Sequence, residues 1–175
     1  ITIAGITFYF YVLIHTFMHV RGDYYKREVI IYPPTVESLY SPEKFDRNSS
    51  DIQCLAKNIF HEARNQSIKG MYAVAYVTIN RKNSINYPNT ICEVVYEPYQ
   101  FSWTHENKSI DFDNAIEFQA WKTSVDIAMD VMHNDVPMEM LGVMYYHANT
   151  ISPRWVAYKR KHSTIQDHTF YVSAN

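Results

Sequence analysis

Residues 49–63 read SSDIQCLAKNIFHEA, the pattern of a capped amphipathic helix. The small polar run Ser49-Ser50-Asp51 suits the start of a helix, where a side-chain oxygen can accept a bond from a free backbone N–H. Apolar residues then recur at helical spacing, at positions 52, 55, 56, 59 and 63. Glu62 lies about 80° around the helix from position 52. The stretch therefore predicts a helix that places one carboxyl on the edge of its buried face.

The rest of the chain adds two helical stretches and several β-like ones. Residues 68–80 are apolar nearly all round, which is typical of a buried helix. Residues 113–133 carry an apolar stripe made of Phe118, Trp121, Val125, Ala128 and Met132. Residues 100–103 are typical of a short strand or an extended loop, whereas 143–148 and 169–172 are β-like with clustered aromatics. Together they predict a helix-rich α+β fold with a small β element.

The N-terminal part of the chain has a different composition. Residues 1–20 contain no Asp, Glu, Lys or Arg, and this length matches one bilayer crossing. They predict a transmembrane anchor, with a buried core helix as the alternative. Residues 21–50 hold three prolines and predict a linker, which leaves 51–175 as the main domain. The basic residues between 21 and 27 favour a cytoplasmic flank, in conflict with the function inferred below.

The net charge and the cysteine content bear on the binding partners and on the cellular compartment of the protein. The formal net charge is −2, which gives no reason to expect a nucleic-acid partner. The only cysteines are Cys54 and Cys92. They fit one disulfide in an exported domain or two buried thiols in a cytosolic one, and the predicted anchor favours the disulfide.

Metal and nucleophile chemistry find little support in the sequence. His61-Glu62 resembles the start of a zinc-protease motif, which needs a second His four residues after the first. Position 65 is Asn65, so the motif is broken. Three later histidines are too scattered to indicate a metal site by spacing, and no serine has the glycine-flanked turn of a nucleophile elbow. We therefore expect neither a metal nor a cofactor.

Glu62 remains as the candidate acid. A carboxyl on the rim of an apolar stripe has its pKa raised by desolvation, which lets it protonate a glycosidic oxygen near neutral pH. The alternative is a surface glutamate paired with Arg64 or Lys69, and spacing alone favours that alternative.

An ordered set of short segments favours Glu62 as a candidate acid over the surface ion pair. The chain resembles the cell-wall hydrolase family of the spore-cortex lytic enzyme SleB over about residues 51–171. The matching segments are CLA at 54–56, HEAR at 61–64, VTINR at 77–81, YPNTICEVVY at 87–96, QFSW at 100–103, YYHA at 145–148, PRW at 153–155 and HTFY at 168–171.

The resemblance implies a lysozyme-like catalytic domain that cleaves peptidoglycan glycan strands, with Glu62 as the catalytic acid and base. Family members are associated with lytic transglycosylase chemistry, which leaves a 1,6-anhydro sugar and consumes no water. Further matched positions would line a sugar-binding groove, or alternatively pack around the β element. They are Gln100, Phe101, Ser102, Tyr146, His147, Trp155 and His168.

The chain departs from the family pattern at two places. The usual Gly-Glu after the catalytic motif is Asn65-Gln66, and a usual Ile-Gly near the end is Ile165-Gln166. The first change removes a carboxylate near the site, and the second affects a turn.

Two other functions stay open. A hydrolysing muramidase would need a second carboxylate, for which the candidates are Glu93, Glu97, Glu106 and Asp111. A wall-binding module without activity is the other. The leading interpretation is a membrane-anchored enzyme whose catalytic domain faces the cell wall, as in phage-type host lysis.

Overall fold

The structure is a computed structural model that describes residues 47–106 and 108–174. The predicted anchor at 1–20 and most of the predicted linker lie outside these residues. Within the described part, no helix has both the length and the apolar character needed to cross a membrane.

Among the residues that the structure describes, four α-helices precede a small sheet. They are α1 (Ser50–Ala63), α2 (Ile68–Lys82), α3 (Ile91–Val95) and α4 (Ala115–His133). The strands are β1 (Val143–Ala148), β2 (Lys159–Ile165) and β3 (His168–Ser173). Short 3-10 turns span Ser102–His105, Met138–Met140 and Arg154–Tyr158. This is the helix-rich α+β architecture that the sequence predicts.

Helix α1 begins and packs as its sequence pattern predicts. The Ser49 hydroxyl caps it by accepting a bond from the Ile52 backbone N–H at 3.4 Å. The five apolar positions of its stripe are fully buried, in contact with α2, α3 and α4. Burial of apolar area on this scale is the main stabilising term of such a core. The last turn of α1 ends beside the sheet and carries Glu62.

A disulfide joins α1 to α3 through Cys54 and Cys92, whose Cα atoms are 5.2 Å apart. Because α3 has only five residues, it is too short to be stable alone. Its attachment to α1 therefore holds in place the segment that leads to residues 100–103.

Helix α2 lies in the core, as its apolar sequence predicts, but its last turn carries two buried polar residues. Asn80 Nδ2 donates to the carbonyl oxygens of Met140 at 2.7 Å and Val143 at 3.0 Å. Arg81 Nε donates to the carbonyl oxygen of Met144 at 2.8 Å. These bonds attach the start of β1 to the end of α2. They therefore fix how the sheet approaches the helices.

The sheet is antiparallel with strand order β1-β3-β2. Strand β2 has the sequence KRKHSTI and was not predicted, because it lacks apolar alternation. It is an edge strand whose basic residues are mostly exposed, and charged side chains of this kind oppose edge-to-edge association. In its partner β3 the first four of the six residues are buried.

Two local predictions were wrong in detail. Residues 102–105 form a 3-10 turn, and Phe101, just before it, has extended backbone. The turn forms around buried Trp103, whose Nε1 donates to Asn58 Oδ1 at 3.2 Å. In α4, Phe118 is 46% exposed, so the buried face is rotated from the predicted stripe. The buried α4 residues are Ser124, Val125, Ile127, Ala128, Met129 and Val131.

Candidate active site

Glu62 is half-buried between α1 and the sheet. The Tyr146 hydroxyl on β1 donates to Glu62 Oε2 at 3.1 Å. Burial raises the pKa of Glu62, while the Tyr146 hydrogen bond and the charges of Arg81 and Lys108 oppose this rise. A carboxyl in this state is protonated closer to neutral pH than an ordinary glutamate. It can therefore donate a proton to a bound substrate.

The surface ion pair that spacing alone favoured is not formed. Arg64 turns away from Glu62: its guanidinium lies 4.8 Å from the centre of the Phe60 ring and 3.7 Å from the Glu117 carboxylate. Lys69 is exposed at the start of α2. Glu62 thus forms a side-chain hydrogen bond with the sheet rather than an ion pair with its own helix.

Arg81 is a site residue that sequence reasoning missed. It is buried, and its guanidinium lies 5.5 Å from the Tyr87 ring centre and 5.6 Å from that of Phe101. The pKa values of Glu62 and Tyr146 are both raised by burial, and the positive charge of Arg81 opposes this rise in each case. The signal in the sequence was a polar pair at the end of an otherwise apolar helix.

Tyr146 and His168 form the sheet side of the site. Their rings meet edge to face at 5.2 Å, and Phe170 packs beside both. Burial, followed by the Glu62 charge, raises the pKa of Tyr146 well above its ordinary value. Burial lowers the pKa of His168, with Asp167 opposing this and His147 adding to it. Tyr146 therefore stays a neutral hydrogen-bond donor, and His168 favours the neutral imidazole.

His147 and Trp155 lie on the opposite face of the sheet. Successive residues of a strand point to opposite faces, so His147 points away from the face that carries Tyr146. His147 Nε2 is 2.9 Å from the Tyr171 hydroxyl, and Trp155 packs edge to face on both rings. These contacts hold β1 in position from the face of the sheet opposite Tyr146.

The segment at 100–102 sits beside Arg81. Phe101 is buried, Gln100 is half-buried and Ser102 is exposed. Phe101 thus packs against the guanidinium that acts on Glu62, while Ser102 faces solvent.

A pocket of about 240 Å³ opens beside Glu62. Its volume is many times that of one water molecule (about 30 Å³). Its walls combine apolar surface with polar groups, which include amides, a hydroxyl and a second carboxylate. The lining residues are Glu62, Asn65, Gln66, Ala148, Asn149, Thr150, Asp167 and His168.

The two departures from the family pattern meet at one end of this pocket. Gln66 Nε2 donates to Asp167 Oδ2 at 3.0 Å, and the Asp167 N–H donates back to Gln66 Oε1 at 3.2 Å. Gln166 has a φ of 47°, the left-handed region that favours glycine, and its side-chain oxygen accepts a bond from the Ser67 N–H. The turn after α1 and the β2–β3 turn are thereby joined.

None of the four predicted second carboxylates lines the pocket. Glu93 accepts a bond from the Thr90 hydroxyl in the α3 cap, and Glu106 pairs with Lys108. The other two, Glu97 and Asp111, lie before and after the 3-10 turn at 102–105. The other carboxylate that lines the pocket is Asp167, and no motif in the sequence marked it.

Metal binding was not expected, and residues 47–106 and 108–174 contain no group of three His, Cys, Asp or Glu side chains placed to hold a metal ion.

Comparison with known proteins places the chain in a family. A family model described as cell wall hydrolase matches residues 65–171, beginning just after Glu62. The spore cortex-lytic enzyme of Bacillus subtilis (strain 168) is 28% identical over 123 residues, covering 70% of this chain and 38% of the relative. That of Bacillus cereus is 26% identical over 138 residues, covering 79% and 49%. The chain spans less than half the length of these relatives.

Two solved structures share the fold. The catalytic domain of the germination-specific lytic transglycosylase SleB from Bacillus anthracis has a TM-score of 0.57 at 27% identity, covering 74% of this chain and 98% of that one. The Bacillus cereus SleB catalytic domain has a TM-score of 0.56 at 25% identity, covering 69% and 88%. The described helices and sheet thus form a SleB-like catalytic fold, and the chain belongs to the cell wall hydrolase family.

Proposed function

We propose that this chain cleaves the MurNAc-β-1,4-GlcNAc bond of peptidoglycan glycan strands, as a lytic transglycosylase with Glu62 as its acid and base. The observation that carries the proposal is the environment of Glu62: a half-buried carboxyl with a raised pKa, bonded to Tyr146 at the edge of a polar pocket. The family and the SleB-like fold supply the substrate class.

In the first step Glu62 protonates the bridging oxygen, and the bond from that oxygen to the MurNAc anomeric carbon breaks. General acid catalysis needs a group that holds its proton at the working pH, and burial of Glu62 meets this need. In the second step the carboxylate takes the proton of the MurNAc C6 hydroxyl, whose oxygen closes the 1,6-anhydro ring. The Tyr146 hydroxyl and the Arg81 charge stabilise the carboxylate between these steps.

The groove residues divide into two roles under this proposal. Tyr146 and His168 stand on the pocket side and would contact the sugar next to Glu62, together with Gln100 and Ser102. Phe101 would act through Arg81, which it contacts. His147 and Trp155 would hold β1 in position from the other face.

Mass analysis of the muropeptides released from purified peptidoglycan tests the proposal. The wild-type chain should release 1,6-anhydroMurNAc ends. Glu62→Gln preserves size and removes the transferable proton, so it should lower turnover by at least about a hundredfold. The matched control is Glu139→Gln, an exposed glutamate away from the pocket. Turnover by a folded Glu62→Gln protein equal to that of the control would refute the role of Glu62. Binding of wild-type protein to the wall without cleavage would identify a wall-binding module instead.

We further infer that residues 1–20 anchor the protein in a membrane with the catalytic domain facing the wall, in the manner of a phage-type lysis enzyme. Their support is an uncharged stretch of bilayer length and a substrate that lies outside the cytoplasm. Protease added to intact spheroplasts should digest the domain. Protection until the spheroplasts are lysed would show a cytoplasmic domain and contradict this localisation.

A further inference from the structure

The pocket beside Glu62 contains a second carboxylate, Asp167. Glu62 reaches the pocket from α1 and Asp167 from the β2–β3 turn, so the two acids come from different elements. Their environments differ, because Glu62 is half-buried and bonded to Tyr146, whereas Asp167 is exposed. Hydrolytic glycosidases use a pair of carboxyl groups in unlike environments, one partly buried and the other exposed to water.

Asp167 is held in place from two sides. Gln66 forms two hydrogen bonds with it, one to Oδ2 and one from its backbone N–H, and the Asn149 N–H donates to its carbonyl oxygen at 2.7 Å. An amide at position 66 is needed for this contact. A glutamate there, as in the family pattern, would bring a second negative charge within hydrogen-bonding distance of Asp167. Gln66 is therefore compatible with the Asp167 carboxylate on the β2–β3 turn, whereas a glutamate at position 66 would repel it.

We propose that Asp167 is the general base of a second, hydrolytic branch of the reaction. This inference rests on the proposed function of the same site. In this branch Glu62 gives its proton to the bridging oxygen and the bond to the MurNAc anomeric carbon breaks. A water molecule forms the new carbon–oxygen bond and passes one proton to the Asp167 carboxylate. The products are a reducing MurNAc end and a GlcNAc 4-hydroxyl. Asp167 then releases its proton to solvent, and Glu62 takes up a proton from solvent, which restores both groups.

The pocket has room for this step. An inverting pair of carboxyl groups needs space for a water molecule beside the sugar, and the pocket volume of about 240 Å³ exceeds that of one water (about 30 Å³) several-fold. The C6 hydroxyl and the water then compete for the same anomeric carbon. A positioned base should raise the share of the water reaction.

Digestion of purified peptidoglycan in ¹⁸O-labelled water by the full chain tests this branch. Wild-type protein should give both anhydro ends and reducing ends that carry one ¹⁸O. Asp167→Asn keeps hydrogen bonding to Gln66 but removes the base. It should lower the ratio of labelled reducing ends to anhydro ends at least tenfold. Asp135→Asn, the same change at an exposed residue outside the pocket, should leave the ratio unchanged.

The outcomes separate this proposal from the one it rests on. Anhydro ends alone from wild-type protein would overturn the hydrolytic branch and leave the transglycosylase standing. An unchanged ratio in Asp167→Asn, or loss of both products together, would also overturn it, because a base specific to water affects one product. No cleavage by wild-type protein would overturn the proposed function itself.

Discussion

Replacing Tyr146 with Phe removes one hydroxyl, the donor to Glu62 Oε2. That hydrogen bond stabilises the carboxylate form and lowers the pKa of Glu62, against the rise caused by burial. Without it, we expect the pKa of Glu62 to rise further. A hydrogen bond to a charged group contributes about 1.5–3 kcal/mol. Because Glu62 is only half-buried, solvent screening should reduce the loss of carboxylate stabilisation to about 1–2 kcal/mol.

The measurement is the pH dependence of peptidoglycan clearing. Glu62 acts first as an acid, so activity is lost as pH rises through its pKa. The alkaline midpoint of Tyr146→Phe should therefore move to higher pH than that of wild type. Tyr158→Phe is the matched control, since Tyr158 is exposed and should show the wild-type midpoint. A midpoint that stays fixed or moves to lower pH in Tyr146→Phe would refute the assigned role of the hydroxyl.

Four further outcomes are expected. Because the folded pKa of Glu62 is raised, wild-type stability should fall as pH increases above about 4.5, whereas Glu62→Gln should lack this loss and be the more stable protein at pH 7.5 in urea unfolding. Thiol titration of unfolded, unreduced protein should find Cys54 and Cys92 unreactive, and reduction should cost about 3–4 kcal/mol on a loop-entropy estimate. Asn58→Ala should cost about 2–4 kcal/mol in the same unfolding assay, because it leaves the Trp103 indole N–H buried without its acceptor. EDTA should leave clearing activity unchanged, and loss of activity restored by zinc would instead support a metallopeptidase.

Periodicity and capping predicted three of the four described helices, whereas the five-residue α3 was not predicted. The Ser49 cap and the stripe of α1 follow from local sequence alone, since both depend on residues within a few turns of each other. Strand β2 was missed because its edge position and exposed basic residues leave no apolar alternation to detect. The rotation of α4 that exposes Phe118 depends on tertiary packing, which the sequence stripe does not record.

The contacts within the candidate site were even harder to predict from local sequence than the secondary structure. Glu62 was selected because a family motif marks it, but its partners depend on contacts between distant parts of the chain. Arg81 lies at the end of a different helix and Asp167 on a hairpin, and neither forms a pattern with Glu62 along the sequence. A buried cation and a turn aspartate are recognisable as site residues only once the sheet is placed against the helices.

The hydrogen bond between Tyr146 and Glu62 joins residues 84 positions apart, and this separation has a consequence for maturation. The four helices in the described part of the chain precede the sheet, so their mutual contacts close shorter loops and are expected to form sooner. Glu62 then lacks both its phenolic donor and the wall that buries it until the C-terminal strands dock. A newly synthesised or partly unfolded chain should therefore be inactive. During refolding, turnover should first appear when those strands dock against the helices.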